Sequence, residues 1–404
     1  MNFSEIKFDF NSPQRIIFGN GRISELGQEI LNTLKPKRIK SPKAFLVIGK
    51  SSLKSSGYLE KIQKYLEDCK IYLEIYDKAG IEPTTTILNK GKELALEQKV
   101  DIIVGIGGGS VMDTAKGIAG LVTNGGIVED YHAGKEFIQP PLPFILIPTT
   151  SGTGSEVTNN SVIKDEKSSV RKSIRGLWAS VAILDPELTL SLPKKYTAYS
   201  GADALVQAIE SLVSKGSNLI SVHYAKEAIK LLGINLPKVC DDLTNIGLRE
   251  KMMLGSLFDG LSFASGKLGA VHGFAHPIGI KHDLPHGLIC GLLLPYVMEY
   301  NIALDNVVEK YAWIAGLFNT QKILADYGTC PKVMPTDEKG KAKWVIEKLK
   351  DIFKYIGIPL HLSEVKINKS DIDEIVKDTT GSSLANNPRD TDKKSLKKIL
   401  LNAL

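Results

Sequence analysis

The sequence predicts an α/β half over residues 1–192 followed by an all-α half over residues 193–404. Two textures and one cluster support that reading. Up to about residue 190, short aliphatic or β-branched runs alternate with amphipathic stretches, the pattern of a parallel sheet covered by helices. After Pro193 apolar residues recur at three- and four-residue spacing with no comparable strand run, which is helical periodicity. In that second half, four of the chain's seven histidines (His272, His276, His282 and His286) fall inside fifteen residues.

Taken in order, strands are expected at 44–48, 71–76, 101–106, 143–147 and 181–184, each a short apolar run, with helices at 23–34, 53–67 and 86–98. In the second half helices are expected over 201–214, 221–232, 248–265 and 342–355, and the boundary falls at Leu192-Pro193-Lys194. At 404 residues, with 43% hydrophobic and 24% charged residues, the chain can bury a large core and is neither disordered nor collagen-like. Its net charge of +6 comes from 51 basic against 45 acidic residues. No block of five or six like charges occurs, so the excess reads as solubility and not as nucleic-acid binding. The basic clusters at 35–40 and 393–398 read as solvated faces. Cys69, Cys240, Cys290 and Cys330 are scattered and form no CxxC pair, which fits reduced thiols in the cytoplasm. Met1-Asn2-Phe3-Ser4-Glu5 has no basic start followed by an apolar stretch, and no apolar run reaches the ~18 residues of a membrane span. Neither export nor a membrane partner is expected.

The 101–106 strand runs into Gly105-Ile106-Gly107-Gly108-Gly109-Ser110, after which Val111-Met112-Asp113-Thr114-Ala115-Lys116 begins a helix. Successive glycines let backbone N–H groups approach a phosphate, and a helix N-terminus adds positive dipole, so a pyrophosphate is the natural guest. A tight turn without a ligand is the plain alternative. The GxGxxG fingerprint is broken at Ser110 and no P-loop motif is present, which makes this a phosphate site of another lineage. A second turn of small residues, Pro148 to Glu156, follows the next strand. Its Thr149, Thr150, Ser151, Thr153 and Ser155 suit ribose, adenine or phosphate contacts, and ligands of such sheets bind beyond the carboxyl ends of strands.

Each histidine alone reads as a hydrogen-bonded core or surface residue, but the cluster with an upstream aspartate points to a metal. His272 and His276, four apart, share one face of a helix, and His286 follows fourteen residues after His272 beyond the turn Asp283-Leu284-Pro285. Imidazole with carboxylate suits Zn²⁺ or Fe²⁺, and Asp203, which shares a helical face with Gln207, can supply the oxygen.

Taken together, Gly107-Gly108-Gly109-Ser110 with Asp113 and Lys116, the Pro148 to Glu156 stretch, Asp203-Ala204-Leu205 through Glu210, Val271 to Pro277, Pro285-His286-Gly287 and Asn387-Pro388-Arg389 resemble the iron-containing (group III) alcohol dehydrogenase family. The resemblance spans nearly the whole chain. It implies the architecture shared with dehydroquinate synthase: an N-terminal dinucleotide-binding domain, a helical metal- and substrate-binding domain, and a cleft between them. It also implies a homodimer and metal-assisted hydride transfer between NAD(P)H and a short-chain aldehyde, primary alcohol or diol. The implied dinucleotide contacts are Gly107, Gly108, Gly109, Ser110, Asp113, the hydroxyls of the second turn and Lys172. The family's metal ligands, an aspartate, a histidine four later and two further histidines, fall on Asp203, Gln207, His272 and His286. Glutamine at 207 departs from that pattern. Its amide oxygen is a weaker donor than imidazole, so Asp203, His272 and His286 are expected as the strong ligands with Gln207 beside the metal. Gln207, or His276 after a shift, is left as a fourth ligand, and loss of the metal as a third possibility. His276 is expected to relay the proton, His282 to be exposed, and Phe263 to be the family's aromatic residue in the substrate cleft.

In the resembled family an acidic residue after the second strand reads the adenosine ribose. Gly49 stands there, followed by Lys50 and Ser51, which favours NADP(H) over NAD(H). A dehydroquinate-synthase-like lyase and a non-catalytic relative remain as alternatives.

Overall fold

The computed structural model describes residues 7–80, 82–168, 170–320 and 333–404. Cys330 and the Met1 to Glu5 segment lie outside the described residues. The chain divides into two compact units, one of residues 12–192 and one of residues 193–404 joined by residues 7–11. The expectation that the N-terminal stretch belongs to the α/β part is thus corrected. Residues 7–11 contain no strand, the Phe10 ring stacks on Tyr224 at 5.8 Å, and the Asp9 carbonyl accepts a hydrogen bond from Ser265 Oγ at 3.1 Å.

The α/β unit is built on a six-stranded, all-parallel sheet in the order β1-β8-β5-β4-β2-β3. The strands are β1 (Arg15–Phe18), β2 (Lys43–Gly49), β3 (Tyr72–Ala79), β4 (Ile102–Gly107), β5 (Phe144–Pro148) and β8 (Val181–Leu184), with β6 (Asn160–Asp165) and β7 (Val170–Arg175) forming a separate antiparallel hairpin. Period-two alternation sorts the strand residues into two cores: Phe45, Val47, Ile103, Phe144 and Leu146 pack on one face, Leu46, Ile48, Val104, Ile145 and Ile147 on the other. Both faces are covered, which is why these strands read as continuous apolar runs. From β2 the chain crosses to β3 on one side, then returns to β4 on the other. The strand order therefore reverses between β2 and β4, and that switch point is where an open α/β sheet takes its ligand.

Two expectations are revised here. The helix over 53–67 is two helices, Ser52–Ser55 and Tyr58–Asp68, separated at Gly57, whose φ of 73° is left-handed and ends the first turn. β1, β6 and β7 were not anticipated; on the hairpin only Ser161, Ile163 and Ile174 are buried, too few for a visible alternation.

The other unit is helical throughout its described residues. Its main helices are Lys194–Val213, Leu219–Asp241, Ile246–Gly266, Ala270–His282, His286–Asn301, Asp305–Thr320 and Glu338–Tyr355, packed around one apolar core. Among the described residues no helix is long and apolar enough to cross a membrane.

Candidate functional site

In the α/β unit, both small-residue turns lie at the carboxyl ends of neighbouring strands. Gly107 ends β4, Pro148 ends β5, and the Thr149 N–H donates to the Gly107 carbonyl at 3.0 Å. The glycines are dictated by close approach: a Cβ on Gly109 would lie 2.8 Å from the Thr153 side chain, and one on Gly107 would lie 2.6 Å from Val111. The helix Gly109–Asn124 starts directly from this turn, with Gly108 as its N-cap and no side chain capping it. Thr149, Thr150 and Thr153 line the second turn half-buried, and the buried Ser151 Oγ has no hydrogen-bond partner. A backbone cradle at a helix N-terminus beside an orphaned hydroxyl fits a phosphate-bearing dinucleotide.

Asp113 and Ser155 are held differently from the other members of that set. Asp113 Oδ1 accepts from Ser155 Oγ at 2.6 Å and lies 3.4 Å from Lys116 Nζ, while its Oδ2 accepts from the Val162 N–H at 2.9 Å. Their side chains bind each other and shape the turn. Lys172 is exposed on β7 opposite Ile163. Gly49 closes β2 at the switch point, and Lys50 and Ser51 beyond it are exposed. A Cβ on Gly49 would meet only Val111 at 3.8 Å and the Ala79 carbonyl at 3.9 Å, so packing does not require glycine there.

Glu156 follows in the second turn, fully buried. Burial pushes its carboxyl from 4.5 up to about 7, against the pull of its own backbone amide and of Lys116. Between pH 4.5 and 7 the folded chain therefore holds a proton that the unfolded chain releases, and stability falls as pH rises through that window. Glu156→Gln is expected to flatten the stability profile between pH 4 and 8 and to gain up to about 3 kcal/mol on the parent at the alkaline end. Thermal melts across that range check it, and an unchanged slope would assign the pH dependence to another group.

In the helical unit three helices each contribute a pair at i, i+4. Lys194–Val213 carries Asp203 and Gln207, Ala270–His282 carries His272 and His276, and His286–Asn301 carries His286 and Cys290. Gly287 allows this close packing, since a Cβ there would collide with the Tyr199 carbonyl and come within 3.2 Å of Asp203 Cβ. Asp203 Oδ1 lies 3.6 Å from His272 Nε2 and 3.7 Å from His286 Nε2. One donor atom from each of Asp203, His272, His286 and Cys290 lies within 4.8 Å of the others. Gln207 Nε2 donates to Asp203 Oδ2 at 3.2 Å, and neither Asp203 Oδ1 nor Gln207 Oε1 has a hydrogen-bond partner. Asp203, Gln207 and His272 are only 3–5% exposed. A carboxylate oxygen buried without a donor between two imidazoles fits a divalent cation.

Burial raises the Asp203 pKa, but attraction to His286 and His272 outweighs it and holds the carboxylate below its usual range. Burial likewise works against the charged form of His272, yet Cys290, Asp203 and Glu210 together hold this imidazole well above its ordinary value. The Cys290 thiol is pushed up to about 12 by burial.

Glu210, two turns after Asp203 on the same helix, orients this cluster. Its carboxylate accepts from His272 Nδ1 at 2.6 Å and from the N–H groups of Gly269 and Val271 at 3.0 and 2.7 Å. It thereby caps the start of the His272 helix and leaves His272 Nε2 facing the cluster. Asn387, from the late Asn-Pro-Arg motif, accepts from the Ala270 N–H at 3.2 Å and so completes the cap.

The structure does not place His276 in the four-residue cluster; its half-buried ring stands 5.5 Å from that of His286. His282 is corrected from exposed to half-buried, at the end of its helix with Nε2 buried and unpartnered. Phe263 is half-buried near the end of Ile246–Gly266. Sequence reasoning passed over Cys290, although its spacing of four from His286 inside one helix was available. The acceptor role of Glu210 was missed too.

Two family models match this chain: iron-containing alcohol dehydrogenase over residues 13–186, and the C-terminal region of the Fe-containing alcohol dehydrogenase family over residues 197–404. The chain belongs to the iron-containing alcohol dehydrogenase family. It is 31% identical over 399 residues to the NAD-dependent methanol dehydrogenase of Bacillus methanolicus, covering 98% of this chain and 100% of that protein. It is 30% identical over 412 residues to the NADPH-dependent butanol dehydrogenase of Clostridium saccharobutylicum, covering 96% of each. Among solved structures, a 1,3-propanediol oxidoreductase superposes with a TM-score of 0.89 at 30% identity, covering 98% of this chain and 100% of that one. As a member of this family the protein is an NAD(P)-dependent oxidoreductase of the alcohol dehydrogenase and aldehyde reductase type, with metal-assisted hydride transfer. The lyase and the non-catalytic relative are thereby set aside. The two relatives' names carry different dinucleotides, so family membership leaves the choice between them open.

Proposed function

We propose that the protein is an NADP(H)-preferring reductase of short-chain aldehydes that also oxidises the corresponding primary alcohols or diols, acting in the cytoplasm as a homodimer. The buried carboxylate oxygen of Asp203, set between His272 and His286 without a hydrogen-bond partner, carries the metal-assisted part of this reading. When bound, the metal supplies a Lewis acid for the substrate oxygen and the nicotinamide supplies the hydride.

The chain's own residues do the rest. Asp203, His272 and His286 hold the cation, which is Fe²⁺ or Zn²⁺, and Gln207 steadies Asp203 through its amide N–H. His276, half-buried beside His286, relays the proton between the substrate oxygen and solvent, since imidazole titrates near neutrality. Phe263 presents an apolar surface that favours short substrates. The turns Gly107 to Ser110 and Thr149 to Ser155 cradle the pyrophosphate and ribose, with Lys172 as a further contact.

Gly49, Lys50 and Ser51 receive the adenosine 2′-phosphate. No carboxylate stands at position 49 to repel it, and Lys50 and Ser51 present an ammonium and a hydroxyl. Gly49→Asp fits the available space and is expected to move the NADPH to NADH ratio of kcat/KM towards NADH by about tenfold or more. A parent enzyme that already prefers NADH would reverse the assignment. The decisive assay compares apo, Fe²⁺-loaded and Zn²⁺-loaded protein, following NADPH loss against a panel of aldehydes and ketones that includes butyraldehyde. Equal activity with and without metal would refute the metal's role, and no turnover with any aldehyde would refute the substrate class.

A further inference from the structure

We propose that Cys290 is a metal ligand, bound as the thiolate, so that the centre consists of Asp203, His272, His286 and Cys290, with Gln207 outside the coordination shell. The proposal rests on the metal-assisted reading above and changes its chemistry. Position 207 carries an amide where the resembled family has one of its three imidazoles, so a ligand is lost from the Lys194–Val213 helix. Cys290 enters the same space from another helix. It is fully buried, lies one turn beyond His286, and has its Sγ 3.9 Å from His272 Nε2. Donor atoms two metal bonds apart around a tetrahedral ion sit about 3.3–3.6 Å from one another, given bond lengths of about 2.0–2.3 Å. Three of the six separations, 3.6, 3.7 and 3.9 Å, are therefore a few tenths of an ångström wider than a filled site, and all six lie within 4.8 Å.

The rival for this position is Gln207 Oε1, which is also buried without a hydrogen-bond partner. Its neutral amide oxygen is a poor donor to a borderline-soft cation, and its N–H is already committed to Asp203 Oδ2. A thiolate is the stronger ligand. It also places a second negative charge directly on the ion, beside that of Asp203. On binding, a sulfur–metal bond replaces the S–H bond and the proton leaves to solvent. Thiolate in place of imidazole moves the preference of the site from Fe²⁺ towards Zn²⁺ or Co²⁺.

The test uses the full chain, stripped of metal and titrated anaerobically with Co²⁺. The parent is expected to develop a near-ultraviolet thiolate-to-cobalt charge-transfer band that saturates at one equivalent. Cys290→Ser should lose the band and bind Zn²⁺ at least ~10-fold more weakly, whereas Gln207→Ala should keep the band. Melts of the metal-free variants separate misfolding from ligand loss. Zinc X-ray absorption of the parent adds a reading that needs no variant: a sulfur neighbour at about 2.3 Å is expected. Visible cobalt bands without the charge-transfer band, a band that survives in Cys290→Ser, or a zinc shell without sulfur would overturn Cys290 as ligand and leave the metal-assisted reading intact. A chain that binds neither Co²⁺ nor Zn²⁺ would overturn both.

Discussion

Asp203→Ala is expected to lower turnover by at least ~10³-fold while dinucleotide affinity stays within about twofold. The size follows from what the carboxylate does. Asp203 Oδ1 faces His272 Nε2 and His286 Nε2 at 3.6 and 3.7 Å and lacks a hydrogen-bond donor, so it is the one carboxylate oxygen of the cluster free to neutralise a cation. Alanine removes that charge and leaves two imidazoles and the Gln207 amide without it. The turns proposed to cradle the dinucleotide lie within residues 12–192 and Asp203 lies in the helical unit, which predicts the split between turnover and binding. Steady-state rates on metal-reconstituted protein, with NADPH binding followed by fluorescence, check both halves. Asp203→Asn sharpens the result: it keeps a partner for Gln207 but not the charge, and it should fall with Asp203→Ala if charge is what matters. Full activity in either variant would remove Asp203 from the site.

The parts of this molecule that were legible in the sequence are those whose physics is local. β2, β4 and β5 are buried on both faces, so each announces itself as an unbroken apolar run, and the glycine turns follow directly from them. Asp203 with Gln207, and His272 with His276, are legible because four residues is one helical turn. The hairpin β6–β7 hides because its charged and polar residues face solvent and only three side chains are buried. Gly57 splits one expected helix in two because an amphipathic pattern continues across a residue that has left helical geometry. Cys290 and Glu210 were overlooked for another reason. A cysteine four residues after a histidine, or a glutamate seven after an aspartate, acquires meaning only when the helices Lys194–Val213, Ala270–His282 and His286–Asn301 are placed side by side.

Glu210→Ala is expected to give the largest loss of stability. The Glu210 carboxylate serves three donors at once, the N–H groups of Gly269 and Val271 and the Nδ1 of His272, and it is buried with them. Alanine cannot accept from any of the three. Each buried donor left without a partner costs roughly 1–3 kcal/mol, and local relaxation recovers part of the sum, so the net loss should be about 3–5 kcal/mol. For a unit of this size that corresponds to a fall in melting temperature of roughly 10 °C. The second consequence is chemical. Without its acceptor at Nδ1, His272 loses the bond that fixes its ring and tautomer, and metal affinity should drop about 10- to 100-fold. Glu210→Gln separates the two effects. It retains an oxygen for a helix N–H but cannot accept at both positions, so it should recover much of the melting temperature and less of the affinity. Differential scanning calorimetry and Zn²⁺ titration below the melt read them independently. A variant that loses stability but binds Zn²⁺ at the parent affinity would confine Glu210 to capping the His272 helix.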